Sequence, residues 1–231
     1  MVRSVARNIT QDLGASLAAD RVEALALLPV SREIGERLDR FVALLLERQA
    51  VMNLIAPSTL PQTWTRHVAD SLQLLSLAPR AKRWIDLGSG AGFPGLVIAA
   101  ALAGEAGVAV HLVESIGKKA AFLREAACAI DAPVTVHAER IENFAQNFHE
   151  SVDVVTARAL APMDKLLGLA HPLLKTGAQG LFHKGQDVDA ELTLASKYWN
   201  ISADLIPSKT NPRGRIVRVH SLKPKPVRRK F

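Results

Sequence analysis

The sequence predicts an α/β fold with a mostly parallel seven-stranded sheet. Three observations support this prediction. Apolar strand-like and helix-like segments alternate from residue 83 onward. A glycine-rich turn with Gly88, Gly90 and Gly92 joins the first strand to a helix. The last two strands are joined by residues 207–214 without a helical pattern, which predicts a hairpin and an antiparallel last strand. Together these features indicate a Rossmann-like sheet.

Three helices are predicted before the sheet, over residues 11–27, 31–52 and 62–77. In the second helix, apolar residues recur at helical spacing, which predicts a packing face against the main domain. These residues are Ile34, Leu38, Phe41, Val42, Leu45 and Leu46. In the third helix, His67, Asp70 and Ser71 are predicted to share one face, because they stand three and four residues apart.

From residue 83 onward, strands and helices alternate with short connections, which favours right-handed crossovers and helices on both faces of the sheet. Strands are predicted near 83–87, 108–114, 133–137, 152–157, 177–184, 201–206 and 215–221. Helices are predicted near 94–103, 117–130, 139–147, 162–174 and 187–199. We therefore expect an N-terminal helical extension (1–77), a sheet domain (78–222) and a basic C-terminal tail (223–231).

The composition limits the class of protein. With 231 residues, 48% of them hydrophobic, the chain suits one main domain plus an extension. No apolar run approaches the ~20 residues that span a membrane, and no signal peptide is apparent. We expect a cytoplasmic protein, a monomer with no membrane partner. Cys128, the only cysteine, excludes internal disulfides and is expected in the core. The histidines lack ligand spacing, so no metal site is expected.

Positive charge is concentrated at the C-terminus. The net charge is +7, and residues 208–231 contain nine Lys or Arg and no acidic residue. Such a segment attracts a polyanion such as RNA through counterion release. A solvated, solubilising terminus is an equal alternative.

The glycine-rich turn permits two interpretations. Gly90, Gly92 and Gly95 match the dinucleotide pattern G-x-G-x-x-G, which alone is weak support for a nicotinamide-dependent oxidoreductase. Gly88, however, already closes the strand, and Pro94 suits a first helical position. The pattern is therefore better described as an acidic residue, Asp86, followed by three alternating glycines. A carboxylate pointing at the ligand suits a cationic amino acid moiety better than a pyrophosphate.

Other polar residues follow the predicted strands, where ligands of open α/β sheets bind. Glu114 lies at the distance expected for a ribose-binding carboxylate, or it caps the next helix. Glu139 and Arg140 follow the third strand, where they contact an adenine or form an ion pair. Arg158 follows the fourth strand, and Lys184 ends the fifth.

Six motifs occur in this order along the chain: Asn53-Leu54, Arg66-His67-x-x-Asp70-Ser71, Asp86-Leu-Gly-Ser-Gly-Ala-Gly-Phe-Pro-Gly95, Glu114-Ser-x-x-Lys118-Lys119-x-x-Phe122-Leu123, Arg158-Ala159 and Lys184-Gly185. This set resembles the RsmG (GidB) family of bacterial small-subunit ribosomal RNA guanine-N7 methyltransferases. The resemblance implies a class I S-adenosylmethionine (SAM) methyltransferase acting on N7 of a guanine in the decoding-region loop of 16S rRNA, in the 30S subunit or an assembly intermediate. The SAM-binding residues implied are Asp86, Gly88, Ser89, Gly90, Gly92, Phe93, Glu114, Glu139, Arg140 and Arg158.

Roles at the target base are also implied by the resemblance. Asp70, Arg158 and Lys184 are the candidate catalytic residues. Asp70 either accepts from the N1–H and N2–H₂ edge of guanine or pairs with Arg66. Arg158 either contacts O6 alone or binds phosphate, and Lys184 holds phosphate. Phe93 either stacks on a base or packs under the cofactor. The RNA-binding candidates are Asn53, Arg66, His67, Lys118, Lys119, Lys184, Arg228, Arg229 and Lys230. A non-catalytic SAM-binding ribosome-assembly module is the main alternative.

Overall fold

The computed structural model describes residues 2–226 of the chain. Arg228, Arg229 and Lys230, which were expected to bind RNA, lie outside these residues. Two helices come first, α1 (Val2–Leu27) and α2 (Arg32–Gln49). The Ser31 hydroxyl accepts a hydrogen bond of 3.3 Å from the backbone N–H of Ile34, which caps the start of α2.

The predicted third helix has three conformations instead of one. A 3₁₀ helix (Pro57–Gln62) leads into a π-helical segment (Trp64–Ala69), which continues as α3 (Asp70–Leu77). The carboxylate of Asp20 on α1 caps the π-helical segment: it accepts from the backbone N–H of Trp64 at 2.7 Å and from the hydroxyl of Thr65 at 2.5 Å. The first helix therefore holds the segment that carries His67 and Asp70.

The sheet has seven strands in the order β3-β2-β1-β4-β5-β7-β6. The strands are β1 (Arg83–Leu87), β2 (Ala109–Val113), β3 (Val134–His137), β4 (Val154–Arg158), β5 (Gln179–Lys184), β6 (Trp199–Pro207) and β7 (Arg215–Pro224). β7 pairs antiparallel with both β5 and β6, which confirms the predicted hairpin and antiparallel last strand. β7 ends two residues beyond the expected boundary at 222. The strand order reverses at β1, so a crevice opens at the carboxyl ends of β1 and β4.

Helices cover both faces of the sheet. The remaining ones are α4 (Gly95–Leu102), α5 (Gly117–Ala129), α6 (Ile141–Asn147), α7 (Met163–Leu174) and α8 (Val188–Ala195). One core cluster joins the sheet to α2, α3, α4 and α5, and a second joins it to α6, α7 and α8. Leu38, Phe41, Val42 and Leu45 are buried in the first cluster, which confirms the packing face predicted for α2.

Two further findings concern the surface of the molecule. Cys128 is exposed on α5, so the expectation of a core cysteine was wrong. Alanines lie on both the buried and the exposed faces of this helix, so its sequence does not indicate which face carries Cys128. Within residues 2–226, no helix is both long enough and apolar enough to cross a bilayer.

Candidate active site

The glycine-rich turn lies at the carboxyl end of β1. The backbone N–H groups of Gly88 and Ser89 donate to the carbonyl of Val113 on β2, at 2.9 and 3.1 Å. Gly88 has a φ of +69°, and a Cβ there would lie 2.6 Å from Cδ1 of Leu160. A larger residue would therefore be strained and would push Leu160 aside.

A cavity of about 1030 Å³ opens above this turn. The predicted cofactor residues that line it are Gly88, Ser89, Gly90, Phe93, Glu114, Arg140 and Arg158. Apolar residues that sequence reasoning missed, including Leu54 and Ile55, also line it. The volume is at the upper end of the range for small-molecule sites, about 300–1,000 Å³.

The side chain of Asp86 lies beneath the turn and does not line this cavity. Its Oδ1 accepts from the Thr156 hydroxyl at 3.0 Å, and its Oδ2 accepts from the Gly95 backbone N–H at 3.2 Å. Burial raises the pKa of Asp86 to about 7, against the opposing effect of these hydrogen bonds. The oxygens of this carboxylate thus tie β1 to β4 and to α4, and its contact with the cofactor stays a prediction. Gly92 and Glu139 also do not line the cavity.

The carboxylate of Glu114 joins the glycine-rich turn to the chain that leads into α5. Its Oε2 accepts from the backbone N–H of Gly90 at 3.0 Å, and its Oε1 accepts from that of Ile116, the residue before α5, at 2.7 Å. A carboxylate oxygen has two lone pairs, so each oxygen can accept one further hydrogen bond. Because Glu114 also lines the cavity, ribose binding is compatible with its structural role.

Phe93 packs under the cavity and is only 7% exposed. Its ring centroid lies 5.2 Å from that of Phe41 and 5.0 Å from that of His67. This geometry favours packing beneath a cofactor and leaves little surface for stacking on an RNA base. Arg140, by contrast, is exposed at the rim and pairs with Glu142 at 3.3 Å.

Arg158 is the central cation of the site. Its Nη1 donates to the backbone carbonyl of Arg66 at 3.2 Å and lies 3.4 Å from Oδ2 of Asp70, and its Nη2 donates to Nδ1 of His67. Its Cζ lies 5.8 Å from the centre of the Phe93 ring. The guanidinium is thus fixed by groups from the π-helical segment and α3.

His67 was expected at the RNA surface, but it is buried and positions Arg158. Burial and the nearby Arg158 charge lower the pKa of His67 to about 3, so the ring is neutral. Since Nδ1 accepts from Arg158, Nε2 carries the proton and donates to the Thr59 hydroxyl at 3.0 Å. Thr59 in turn donates to the carbonyl of Ala56 at 2.8 Å. No sequence motif indicated that Thr59 takes part in the site.

Asp70 pairs with Arg158, so the expected alternative of a pair with Arg66 was wrong. Its Oδ1 accepts from Thr210 at 2.8 Å, from Ser208 at 3.1 Å and from Gln73 at 2.7 Å. Asp70 thereby joins α3 to the loop between β6 and β7. With three donors on Oδ1, that oxygen has little capacity left for a base, and Oδ2 faces Arg158.

The side chain of Lys184 is only 8% exposed, and the expectation that it holds phosphate is not supported by its contacts. Its Nζ donates to the carbonyl of Ala161 at 2.8 Å and lies 2.5 Å from Oε2 of Glu191. Among the other RNA-binding candidates, Arg66 and Lys119 line the large cavity. Asn53 and Lys118 are exposed and do not line it.

A second cavity of about 350 Å³ lies beside the first, at the carboxyl ends of β4 and β5. Arg158 and residues 159–161 line both cavities, so the guanidinium stands at their junction. Ala159, next in the chain, has a φ of +51°, which costs an alanine about 1 kcal/mol or more. His183 lines the second cavity and is buried.

The large cavity fits an amino acid-bearing nucleoside better than a dinucleotide. In a dinucleotide site, the N–H groups at the start of the helix face the pyrophosphate. Here the backbone N–H of Gly95 already donates to the carboxylate of Asp86. A pyrophosphate at this position would be repelled by that carboxylate. The backbone cradle at Gly88 and Gly90 and the carboxylate of Glu114 fit the nucleoside of SAM. Within residues 2–226, no group of three His, Cys, Asp or Glu side chains is arranged to hold a metal ion.

Comparison with known proteins agrees with this geometry. An O-methyltransferase from Bacillus cereus, solved with SAH, superposes with a TM-score of 0.56 over 90% of this chain and all of that one, at 15% identity, which shows the fold. Ribosomal RNA small subunit methyltransferase G from Bradyrhizobium sp. (strain BTAi1) is 60% identical over 88% of this chain and 91% of its own length. The corresponding protein of Bradyrhizobium diazoefficiens is 58% identical over 87% of this chain and 77% of its length. The family model described as rRNA small subunit methyltransferase G matches residues 34–213. This chain therefore belongs to that family of SAM-dependent methyltransferases.

Proposed function

We propose that the protein transfers a methyl group from SAM to N7 of a guanine in the decoding-region loop of 16S rRNA. Family membership supports the enzyme class and the RNA substrate. The observation that carries the proposal is the pair of adjoining cavities with Arg158 at their junction. Such a pair can hold a cofactor in the large cavity and an extruded base in the small one.

The residues at the junction suit an acceptor that has no proton to lose. SAM, when bound, supplies the methyl group as part of a cationic sulfonium. Guanine N7 has an in-plane lone pair and no hydrogen, so direct in-line displacement needs no general base. In agreement, His67 and Asp70 are already occupied by Arg158 and by neighbouring donors. The task of the protein is then to hold N7 in line with the methyl group at near-attack distance.

Arg158 is suited to orient the base through O6. A bidentate contact to O6 and N7 would block the attacking atom. The three hydrogen bonds of Arg158 fix its plane and leave other N–H groups of its fork free within the protein. One of these groups donating to O6 would leave N7 open to the methyl group.

The RNA backbone is expected to follow the exposed cations around the cavity mouths. Arg66 is exposed and lines both cavities, and Lys119 and Arg140 lie at the rim of the larger one. Lys118, which is exposed and next to Lys119 in the chain, adds a further cation. We further propose that the substrate is rRNA within the 30S subunit or an assembly intermediate, bound by a monomer.

The test is methyl transfer from labelled SAM to unmodified 16S rRNA, offered as naked RNA and as 30S particles. Borohydride–aniline cleavage maps N7-methylguanine. A single cut in the decoding-region loop is the expected result. SAM binding without transfer to either substrate would instead indicate a binding module. Arg158→Lys, which keeps the charge but loses the fork, should lower kcat by about 10- to 100-fold. Lys197→Arg, an exposed change after α8, is the matched control.

A further inference from the structure

His183, which lines the small cavity, has one side-chain acceptor that the protein itself does not use. The Nδ1 atom of His183 is buried and, within residues 2–226, has no hydrogen-bond partner. Leaving a buried polar atom unpaired costs about 1–3 kcal/mol, so this atom favours a partner that those residues do not supply.

The hydrogen bond on the other side of the ring determines which nitrogen carries the proton. Nε2 of His183 lies 2.8 Å from the backbone carbonyl oxygen of Asp70, which can only accept. Nε2 must therefore be protonated and donate. Burial lowers the pKa of His183, so the ring is neutral and Nδ1 has a free lone pair.

The acidic and amide acceptors that line this cavity already have partners. Oδ1 of Asp70 accepts from three donors, and its Oδ2 pairs with Arg158. Oε2 of Glu191 accepts from the backbone N–H of Met163 at 2.7 Å and pairs with Lys184. Oδ1 of Asn211 accepts from the backbone N–H of Arg213 at 3.0 Å. Nδ1 of His183 differs from these atoms because it has no partner among residues 2–226.

We infer that His183 is a specificity-determining residue, whose Nδ1 accepts a hydrogen bond from the N1–H and N2–H₂ edge of the target guanine in the small cavity. This inference rests on the proposed function and refines it. Adenine has no proton on N1. Its N1 lone pair would therefore face the lone pair of His183 Nδ1, and the two would repel each other. Rejection of a purine that lacks the matching donor is strong when the protein group is left unpaired.

Two substitutions separate recognition from structure. In His183→Gln, the amide N–H group replaces Nε2–H as the donor to the Asp70 carbonyl, and the acceptor at Nδ1 is lost. In His183→Asn, the amide oxygen replaces Nδ1 and the donor is lost. Each variant is assayed for SAM affinity, for thermal unfolding, and for kcat/KM on 16S rRNA with guanine, inosine or adenine at the target position, offered both as naked RNA and assembled into 30S particles.

We expect His183→Gln to lower kcat/KM for the guanine RNA by 10- to 100-fold and to reduce discrimination against adenine at least tenfold. We also expect it to keep the wild-type affinity for SAM, because His183 does not line the large cavity. His183→Asn should be less stable but keep discrimination. Inosine has N1–H but no N2 amine, so its kcat/KM shows whether N1–H or N2–H₂ makes the larger contribution to the contact with Nδ1. Wild-type discrimination in His183→Gln would overturn the inference. If His183→Gln does not fold, the inference is overturned by a folded His183→Asn variant that no longer discriminates guanine from adenine. A wild-type enzyme inactive on every RNA would instead overturn the proposed function.

Discussion

Replacing Asp86 by Asn should remove a specific pH dependence of stability. The carboxyl group is 1% exposed, and its pKa rises from an ordinary value of 3.8 to about 7 in the folded protein. The folded state then binds more protons than the unfolded state between these values. The free energy of unfolding therefore falls as the pH rises, by about 1.4 kcal/mol per pH unit in the middle of this range. The full loss from pH 4 to pH 8 is about 4 kcal/mol, an order-of-magnitude figure.

The Asn variant imitates the protonated carboxyl group. Its amide can donate to the Thr156 hydroxyl while its oxygen accepts from the Gly95 N–H, so the contacts of the neutral side chain are kept. Urea unfolding at intervals from pH 4.5 to 8, for wild type and variant, measures the difference. We expect the variant to gain stability relative to wild type as the pH rises. A difference that stays constant with pH would refute the reasoning. Asp189→Asn, an exposed position on α8, is the matched control.

Three other changes test the surrounding structure. Asp20→Ala should cost about 1–2 kcal/mol in urea unfolding, because the π-helical segment loses its cap, and should lower kcat because this segment holds Arg158. Gly95→Ala should destabilise the protein by about 1–3 kcal/mol or more, measured in the same way, since a new Cβ would press into β1 and β2. Burial lowers the pKa of both His111 and His137, so stability is lost as the pH falls below their ordinary value of 6.5. His137→Phe should therefore lose less stability than wild type between pH 7 and pH 5, and an equal loss would contradict this.

The sheet was predictable because its signals are local. Each strand is a short apolar run, and each helix follows within a few residues, so periodicity alone indicated all seven strands. The hairpin was predictable because residues 207–214 contain turn residues and no helical pattern. The π-helical segment was not predictable. In a π-helix the backbone hydrogen bonds run from i to i+5, which changes the directions of the side chains. The apolar pattern of residues 62–77 nevertheless suits an ordinary α-helix.

The site was predictable in its location and less so in its side-chain roles. Strand ends and glycines indicate where a ligand binds, because the chain topology brings them to one edge. They do not indicate where a carboxylate points. β1 is buried on both faces, so strand alternation could not show that Asp86 faces Thr156 on the neighbouring strand. Lys184 is paired by Glu191 from the following helix, a contact that depends on how α8 packs.

The charge of Arg158 explains why its side-chain partners are one carboxylate, Asp70, and one neutral imidazole, His67. SAM carries a positive charge on its sulfonium. An unbalanced positive charge on the Arg158 guanidinium would therefore weaken SAM binding. Asp70 supplies one negative charge at 3.4 Å, and His67 is neutral because its pKa is lowered to about 3. The cluster of these three side chains therefore carries no net charge at neutral pH, while its geometry is fixed by several hydrogen bonds. Arg158 can then orient an O6 acceptor, and the positive charge that moves from sulfur to the purine meets a neutral cluster.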